Sequence, residues 1–235
     1  ALIAYQTAYL KCHYPEEYMA GVLTCEQENS DNVVKYMAVA REIGVSVHPP
    51  DVNESGVDFS VVRKKDGNKA VRFGLGAVKR VGHSAVDSIL EAREESPLVS
   101  LQDFTQRVDL KKANRGVIEA LIKSGAMDNL LENAGAHRLQ MLSALDHALE
   151  MGTRFQKDRA AGQTSLFGRL APEKAKSVDV LEFPDIPPWT LIQKLTHEKE
   201  SLGFYISGHP LEQYRKDIKH FCDHRTDNLD AVHQN

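Results

Sequence analysis

Residues 74–86 could bind phosphate through their backbone. Their order predicts a short helix that ends near Lys79, a tight turn through Val81 and Gly82, and a second helix that begins at Ser84. Ser84 can cap this second helix, and Asp87 three residues later gives a pattern similar to a capping box. The N–H groups of such a turn and helix N-terminus point outward together, and with the helix dipole they bind phosphate without reading a base sequence.

The predicted turn lies beside a cluster of basic residues. Seven Lys and Arg residues stand between Arg63 and Arg80 against a single acid, Asp66, which gives this stretch a charge of +6 within a chain of net charge −4. Such a cluster favours salt-dependent binding of nucleic acid. The alternative is that the turn only joins two packed helices and that the cations form a solvated face. The predicted DNA-binding residues of this helix-hairpin-helix are Lys79, Arg80, Val81, Gly82, His83 and Ser84.

A second binding element is predicted in a stretch that is rich in glycine and proline. Gln163-Thr164-Ser165-Leu166-Phe167 places two large apolar side chains between Gly162 and Gly168, ahead of several prolines. Such a segment cannot remain helix or strand for long. Leu166 and Phe167 therefore either enter the pocket of a partner or pack back on the predicted helix at residues 136–157.

Metal and disulfide chemistry find little support in the sequence. Cys12, Cys25 and Cys222 are too few and too scattered for a disulfide framework, and no CxxC pattern completes a metal site beside Cys12 and His13. The chain has no Asp-x-Asp pair for two magnesium ions, so we predict neither a catalytic nor a metal-binding residue. No apolar run approaches the ~18 residues of a membrane span, and no signal peptide is recognised, so neither a membrane partner nor export is expected.

The elements that must position these residues are mainly helical. Apolar residues recur at helical spacing over most of the chain, while alternation with period two occurs only at residues 57–61 and 69–73, on either side of the turn at residues 65–68. The predicted fold is therefore mainly α (α+β), a helical domain with tandem helix-hairpin-helix units and one small β-hairpin. The second unit, residues 114–128, has Gly125 at its turn and is expected to be mostly structural. Helices are predicted after Pro15, from Ser30 or Asp31 to Gly44, after Ser100, at residues 113–123, 136–157 and 189–202, and after Pro210. The helix that ends at Gly44 is expected to be capped by Ser30 or Asp31 and to face the core with Val33, Val34, Met37 and Ile43.

Seven motifs, in this order along the chain, closely resemble the catalytic (alpha) subunits of the bacterial C-family replicative polymerases. Their fixed order is more specific than any one of them. They are AYQTAYLK (residues 4–11), HYPE (13–16), PPDVN (49–53), FGLGAVK (73–79), LQDF (101–104), ALIKSGA (120–126) and ESLGFYISGHPL (200–211).

The resemblance implies a division of the chain into four parts. Residues 1–45 would end the fingers domain, residues 46–160 would form the helix-hairpin-helix and clamp-binding domain, residues 161–186 would be a flexible linker, and residues 187–235 would supply connector helices toward an OB domain. The implied partners are duplex DNA, other replicase subunits and the sliding clamp (beta subunit), which the pentapeptide Gln163 to Phe167 would bind. The implied location is the bacterial cytoplasm.

The resemblance also implies what this segment would not do. The family's catalytic aspartates and the magnesium that the parent enzyme needs would lie upstream of Ala1, so the segment should not polymerise DNA by itself. The family usually has Gly where this chain has Arg80, so either the turn differs or Arg80 adds charge at a conformational cost. The alternatives are an error-prone paralogue of the same polymerase and a non-enzymatic DNA-repair adaptor; a nuclease would need a carboxylate cluster.

Overall fold

Residues 2–63, 67–132, 134–161 and 181–221 are described by a computed structural model of the chain. Most of them are helical. The helices are α1 (Leu2–His13), α2 (Pro15–Cys25), α3 (Ser30–Glu42), α4 (His83–Glu95), α5 (Leu101–Arg107), α6 (Arg115–Ser124), α7 (Asp128–Glu132), α8 (Arg138–Ser143), α9 (Leu145–Ala160), α10 (Leu191–Leu202) and α11 (Arg215–Phe221). Short 3-10 helices span Leu75–Ala77 and Pro210–Tyr214, and the strands are β1 (Val47–His48), β2 (Ser60–Arg63) and β3 (Lys69–Arg72).

A three-stranded sheet in the order β1-β3-β2 carries the predicted hairpin. β2 and β3 are antiparallel, with Val61 opposite Val71, which confirms the hairpin. β1 pairs with β3 in parallel, with Val47 opposite Val71. The prediction missed β1 because two residues show no periodicity.

A cluster of buried apolar side chains extends from α2 to Phe204, the second residue after α10. It includes Met19, Phe73, Phe104 and Leu121, each at most 1% exposed, together with Phe204. α5 and α9 pack so closely that a Cβ at Gly152 would lie 2.5 Å from the carbonyl oxygen of Thr105. Glycine is therefore what allows these two helices to meet at this point.

The first helical turns agree only in part with the predicted caps. Ser100 caps α5 by accepting the N–H of Asp103 at 3.0 Å, as predicted. α3, however, is capped by Asn29, which accepts the N–H groups of Asp31 and Asn32. Ser30 and Asp31 already lie inside this helix, so the predicted capping residue was wrong by one or two positions. Asn, Ser and Asp are all good capping residues, and the three stand next to each other here.

The core-facing stripe of α3 is narrower than predicted. Val33 and Met37 are buried, together with Ala40, which the prediction omitted. Val34 and Ile43 are 39% and 37% exposed, so their assignment to the core was wrong. The helix ends as predicted, with Gly44 in the left-handed region at φ +80°.

The predicted long helix at residues 136–157 is two helices. α8 begins with a capping box between His137 and Gln140, and a single residue, Ala144, separates its end from the start of α9. Met141, Leu145 and Ala148 are all buried and continue one helical spacing across this break. Periodicity therefore gave no sign of the interruption.

α1 differs from the other long helices because none of its side chains is buried by the described residues. Within the ranges given above, no helix combines the length and the apolar character that crossing a membrane requires. The four predicted parts of the chain stay predictions, although α10 packs against α6 and Phe204 joins the same core.

Candidate nucleic-acid interface

The candidate turn is fixed by apolar side chains that point into the core. Leu75, Val78 and Val81 are 0%, 1% and 6% exposed, and the Val81 N–H donates to the Val78 carbonyl at 3.1 Å. The side chain of Val81 is thus unavailable to a ligand, and its N–H is already used within the turn, so neither group is free to bind a phosphate. The exposed residues of the turn are Lys79, Arg80, Gly82, His83 and Ser84.

The base of the turn is tied to the loop that precedes β2. The N–H of Leu75 donates to the Gly56 carbonyl at 2.8 Å, and the N–H of Gly76 donates to the Val57 carbonyl at 2.9 Å. The turn therefore projects from a backbone that is held on both sides rather than from a free loop.

α4 starts at His83 with Gly82 in the capping position and without a side-chain cap. The prediction that Ser84 caps this helix was wrong, because Ser84 already lies in the first turn. The Gly82 carbonyl accepts the N–H groups of Ala85 and Val86 at 3.0 and 3.2 Å. Within the described residues the N–H groups of Gly82, His83 and Ser84 have no acceptor, so these donors are free to bind an anion.

Arg80 has φ +71°, and it is the only non-glycine residue with a positive φ in the part of the chain that the structure describes. The turn therefore keeps the conformation for which glycine is favoured. Placing an L-residue in the left-handed region costs roughly 1–2 kcal/mol. The exposed guanidinium of Arg80 thus stands on the turn at a conformational cost.

Lys79 contacts the carboxyl end of α10. Its N–H donates to the Ser201 carbonyl at 2.8 Å, and its Nζ lies 3.8 Å from the point that a Cβ on Gly203 would occupy. The carboxyl end of a helix favours a cation. The N–H of Lys79 is therefore used within the protein, while its side chain stays exposed.

The basic cluster is smaller in the structure than in the sequence. Lys69 forms an ion pair with Glu17, and Arg72 forms one with Glu54. Lys64 and Lys65 lie outside the described residues. Within those residues no ion pair involves the remaining members, Arg63, Lys79 and Arg80. Part of the predicted +6 is thus neutralised on the protein surface.

A second cationic turn was missed in the sequence. Residues 108–114 connect α5 to α6 and expose Lys111 and Lys112, and the Asp109 N–H donates to Ser88 Oγ on α4 at 2.9 Å. Asn114 caps α6 by accepting the N–H groups of Gly116 and Val117. This turn therefore offers positive charge, but the N–H groups of Gly116 and Val117 are already bonded. In the sequence, two adjacent lysines before an Asn cap could have indicated this turn.

The turn within residues 114–128 has the structural character that was predicted. α6 ends at Gly125 with φ +84°, where the guanidinium of Arg138 covers the backbone and pairs with Asp128. Leu121 and Ile122 are fully buried, as expected. This turn leaves no surface for a phosphate beside Gly125.

The predicted clamp-binding residues, Gln163, Thr164, Ser165, Leu166 and Phe167, lie outside the described residues. The structure describes the chain on both sides of them. α9 ends at Ala160, and the buried Leu181 donates its N–H to Gln102 Oε1 on α5 at 3.3 Å. The role of the pentapeptide therefore stays a prediction.

No group of three or more His, Cys, Asp or Glu side chains that could hold a metal ion is present among residues 2–63, 67–132, 134–161 and 181–221. Cys12 and Cys25 are exposed thiols in the same part of the chain. The candidate interface is thus defined by the N–H donors and cations described above.

Comparison with known proteins agrees with this geometry. Residues 44–141, which include both cationic turns, match the family model described as "Helix-hairpin-helix motif". The chain is 38% identical over 228 residues to the DNA polymerase III subunit alpha of Vibrio cholerae, an alignment that covers 96% of this chain and 19% of that protein. It is 37% identical to the same subunit of Xylella fastidiosa strain Temecula1, with 99% of this chain covered and 19% of the relative.

The corresponding subunit of Escherichia coli K12 is 38% identical over 94% of this chain and 18% of its own length. The chain thus spans about a fifth of the length of the curated relatives that it matches. The alignments run through the helical core, the sheet and α10, so the similarity is not limited to one motif. This chain therefore fits a segment of the DNA polymerase III alpha subunit.

Proposed function

We propose that this chain is the part of a replicative DNA polymerase catalytic subunit that holds duplex DNA. The observation that carries the proposal is the turn at residues 79–84, where free N–H groups of Gly82, His83 and Ser84 adjoin the exposed cations of Lys79 and Arg80. The helix-hairpin-helix match and the polymerase relatives support the same function.

The chemistry of this interface suits binding without sequence selection. The free N–H groups at the start of α4 would donate to one phosphate oxygen after another as DNA passes, and the helix dipole favours negative charge there. Arg80 can hold a phosphate with two parallel hydrogen bonds, while Lys79 acts as a point charge. Contacts of this kind fix the position of the duplex and carry no direct sequence information.

We further propose that the pentapeptide 163–167 binds the sliding clamp. Gln163 can both donate and accept in a polar pocket, and Leu166 and Phe167 would each contribute roughly 1.5–3 kcal/mol on burial in an apolar cleft. Ordering a linker costs about 2–5 kcal/mol, so these two side chains alone leave at most about 4 kcal/mol, a dissociation constant of roughly 1 mM, and the hydrogen bonds of Gln163 would add to this. DNA binding and clamp binding would then reinforce each other through effective concentration.

The chemical step of the parent enzyme would take place elsewhere in the subunit. The described residues bring no carboxylate cluster together, so they do not fit the magnesium ions that DNA synthesis requires. We propose that the parent holds magnesium outside this segment, assembles with other replicase subunits and works in the bacterial cytoplasm. The alignments that cover 94–99% of the chain favour this function over a free-standing DNA-repair adaptor.

Removal of both cations tests the hairpin. Lys79→Ala combined with Arg80→Ala should weaken binding to a blunt duplex of mixed sequence and lower the salt dependence of the binding constant by about 2 units of slope. Fluorescence anisotropy over a series of salt concentrations measures both quantities.

The matched control is Arg154→Ala combined with Lys157→Ala. These exposed cations lie on α9, which packs on α5, α6 and α8, and their removal changes the net charge by the same amount. An unchanged salt slope in the hairpin variant, or an equal loss in the control, would place the phosphate contacts elsewhere.

A further inference from the structure

Glu198 is a fully buried carboxylate, so it is not part of the surface that would contact DNA. It lies on α10 at 0% exposure, near the contact between Ser201 and the candidate turn. We propose that Glu198 is a positioning residue for the DNA-binding turn, because it fixes the chain reversal at residues 203–207 (the α10 turn) beside the carbonyl that holds Lys79. The inference rests on the proposed role of the hairpin in DNA binding.

Both carboxylate oxygens of Glu198 are occupied. Oε2 accepts the N–H groups of Ile206 and Ser207 at 3.1 and 2.9 Å. Oε1 accepts Nη1 of Arg138 at 3.1 Å and the hydroxyl of Ser207. Burial acts to raise the pKa of Glu198, but the hydrogen bonds from Ser207 and Ile206 and the Arg138 charge hold this pKa below its ordinary value. The carboxylate is thus a charged anchor for the α10 turn.

The α10 turn begins at Gly203, whose φ of +91° reverses the chain directly after the helix. A Cβ at this position would lie 3.3 Å from Ser30 Cβ, so α3 packs against the reversal. Phe204 then places its ring 5.5 Å from the ring of Phe73, the residue that leads from β3 into the candidate turn. The α10 turn is therefore packed against the same backbone that carries the DNA-binding residues.

The link to the hairpin is a single hydrogen bond close to this reversal. Ser201 lies one helical turn after Glu198, and its carbonyl accepts the Lys79 N–H at 2.8 Å. The last carbonyls of a helix lack intrahelical donors, so this oxygen depends on Lys79 for a partner. If the α10 turn moves, the Lys79 N–H loses its acceptor. The backbone of Lys79 and of Arg80 next to it is then no longer held in one position.

Electrostatics and positioning predict opposite effects when Glu198 loses its charge. Removal of a negative charge from a protein should strengthen its attraction to DNA. A positioning role predicts weaker binding, because the N–H groups of the turn no longer have a fixed geometry. The sign of the change therefore separates the two roles without any reference to protein stability.

Glu198→Gln is the isosteric test. The amide has only one acceptor oxygen, so either the N–H groups of Ile206 and Ser207 or Nη1 of Arg138 lose their acceptor, while the Ser207 hydroxyl can rotate to accept from the amide NH2. We expect duplex-DNA affinity to fall about fivefold, as for the loss of one hydrogen bond, with an unchanged salt slope. Amide hydrogen exchange of Lys79 should become faster by a similar factor, without DNA present.

A second variant separates positioning from folding. Glu198→Leu combined with Arg138→Met replaces the buried ion pair by apolar groups, which is often neutral or stabilising. It also frees Asp128, whose carboxylate is 46% exposed and can bind water in place of Arg138. This variant should fold but still lack an acceptor for Ile206 and Ser207, so its Lys79 amide should still exchange fast and its DNA affinity should stay low. The control is Leu145→Ala, which removes a fully buried side chain from α9 and should lower stability without changing either readout.

The outcomes distinguish this inference from the proposed function. Fast Lys79 exchange with weakened DNA binding in both Glu198 variants supports the positioning role. Slow exchange or unchanged binding in the double variant overturns that role, while the wild-type protein still binds DNA. Failure of the wild-type protein to bind duplex DNA contradicts the proposed function of the hairpin, and with it the inference.

Discussion

Arg80 brings two requirements of the same turn into conflict. The turn needs a residue with positive φ, which glycine adopts at no steric cost, and DNA binding gains from a cation at the exposed tip. The family resemblance implied that glycine is the usual residue at this position but left open whether the turn changes. The structure shows that the left-handed backbone is kept, so the charge is present in addition to the strain.

Arg80→Gly should therefore raise stability and lower DNA affinity. We expect the free energy of unfolding to increase by about 1 kcal/mol as the left-handed strain is removed, and the salt slope of DNA binding to decrease by about 1. Urea denaturation and anisotropy titrations measure the two effects. Arg80→Ala is the control, since it removes the charge and keeps the strain; a stability gain as large as that of glycine would show that φ is not the cause.

At the scale of elements, local signals predicted the type of most helices and the β-hairpin. The Ser100 cap, the Gly44 stop and the alternation in β2 and β3 each depend on residues close in sequence. The two-residue β1 and the division at Ala144 were not predictable, because neither interrupts the apolar periodicity. The contact of Lys79 with Ser201 joins distant segments, so no local pattern contains it.

The pentapeptide 163–167 stands between α9 and α10, outside the described residues. Its role in clamp binding is a prediction from the sequence and its family resemblance. Leu166→Ala combined with Phe167→Ala should reduce affinity for the sliding clamp at least tenfold, because two apolar side chains of roughly 1.5–3 kcal/mol each leave the clamp cleft. Calorimetric titration with the purified clamp measures this change. Leu170→Ala is the control just beyond the motif, and equal clamp affinity of wild type and double variant would exclude the pentapeptide as the contact.

For the whole molecule, the buried Glu198 and the half-buried Asp51 have opposite linkage to pH. The pKa of Glu198 is held below its ordinary value of 4.5, so its stabilising contribution is complete above that value and is lost as the pH falls through the lowered folded pKa. Burial raises the pKa of Asp51 above its ordinary value of 3.8, although the N–H groups of Asn53 and Glu54 oppose the shift. Asp51 therefore contributes stability at low pH that is lost as the pH rises through its raised folded pKa.

Substitution of each carboxylate by its amide should expose these opposite signs. In Glu198→Gln the loss of stability on acidification from about pH 6 to pH 3 should become smaller, whereas in Asp51→Asn it should become larger. Asp51→Asn is a mild change, because Oδ1 alone accepts the N–H groups of Asn53 and Glu54 and Nδ2 of Asn129. Urea denaturation at several pH values gives the slopes. Parallel pH profiles for the two variants would mean that acid stability is set by the exposed ion pairs, such as Arg115 with Asp146, and not by the buried groups.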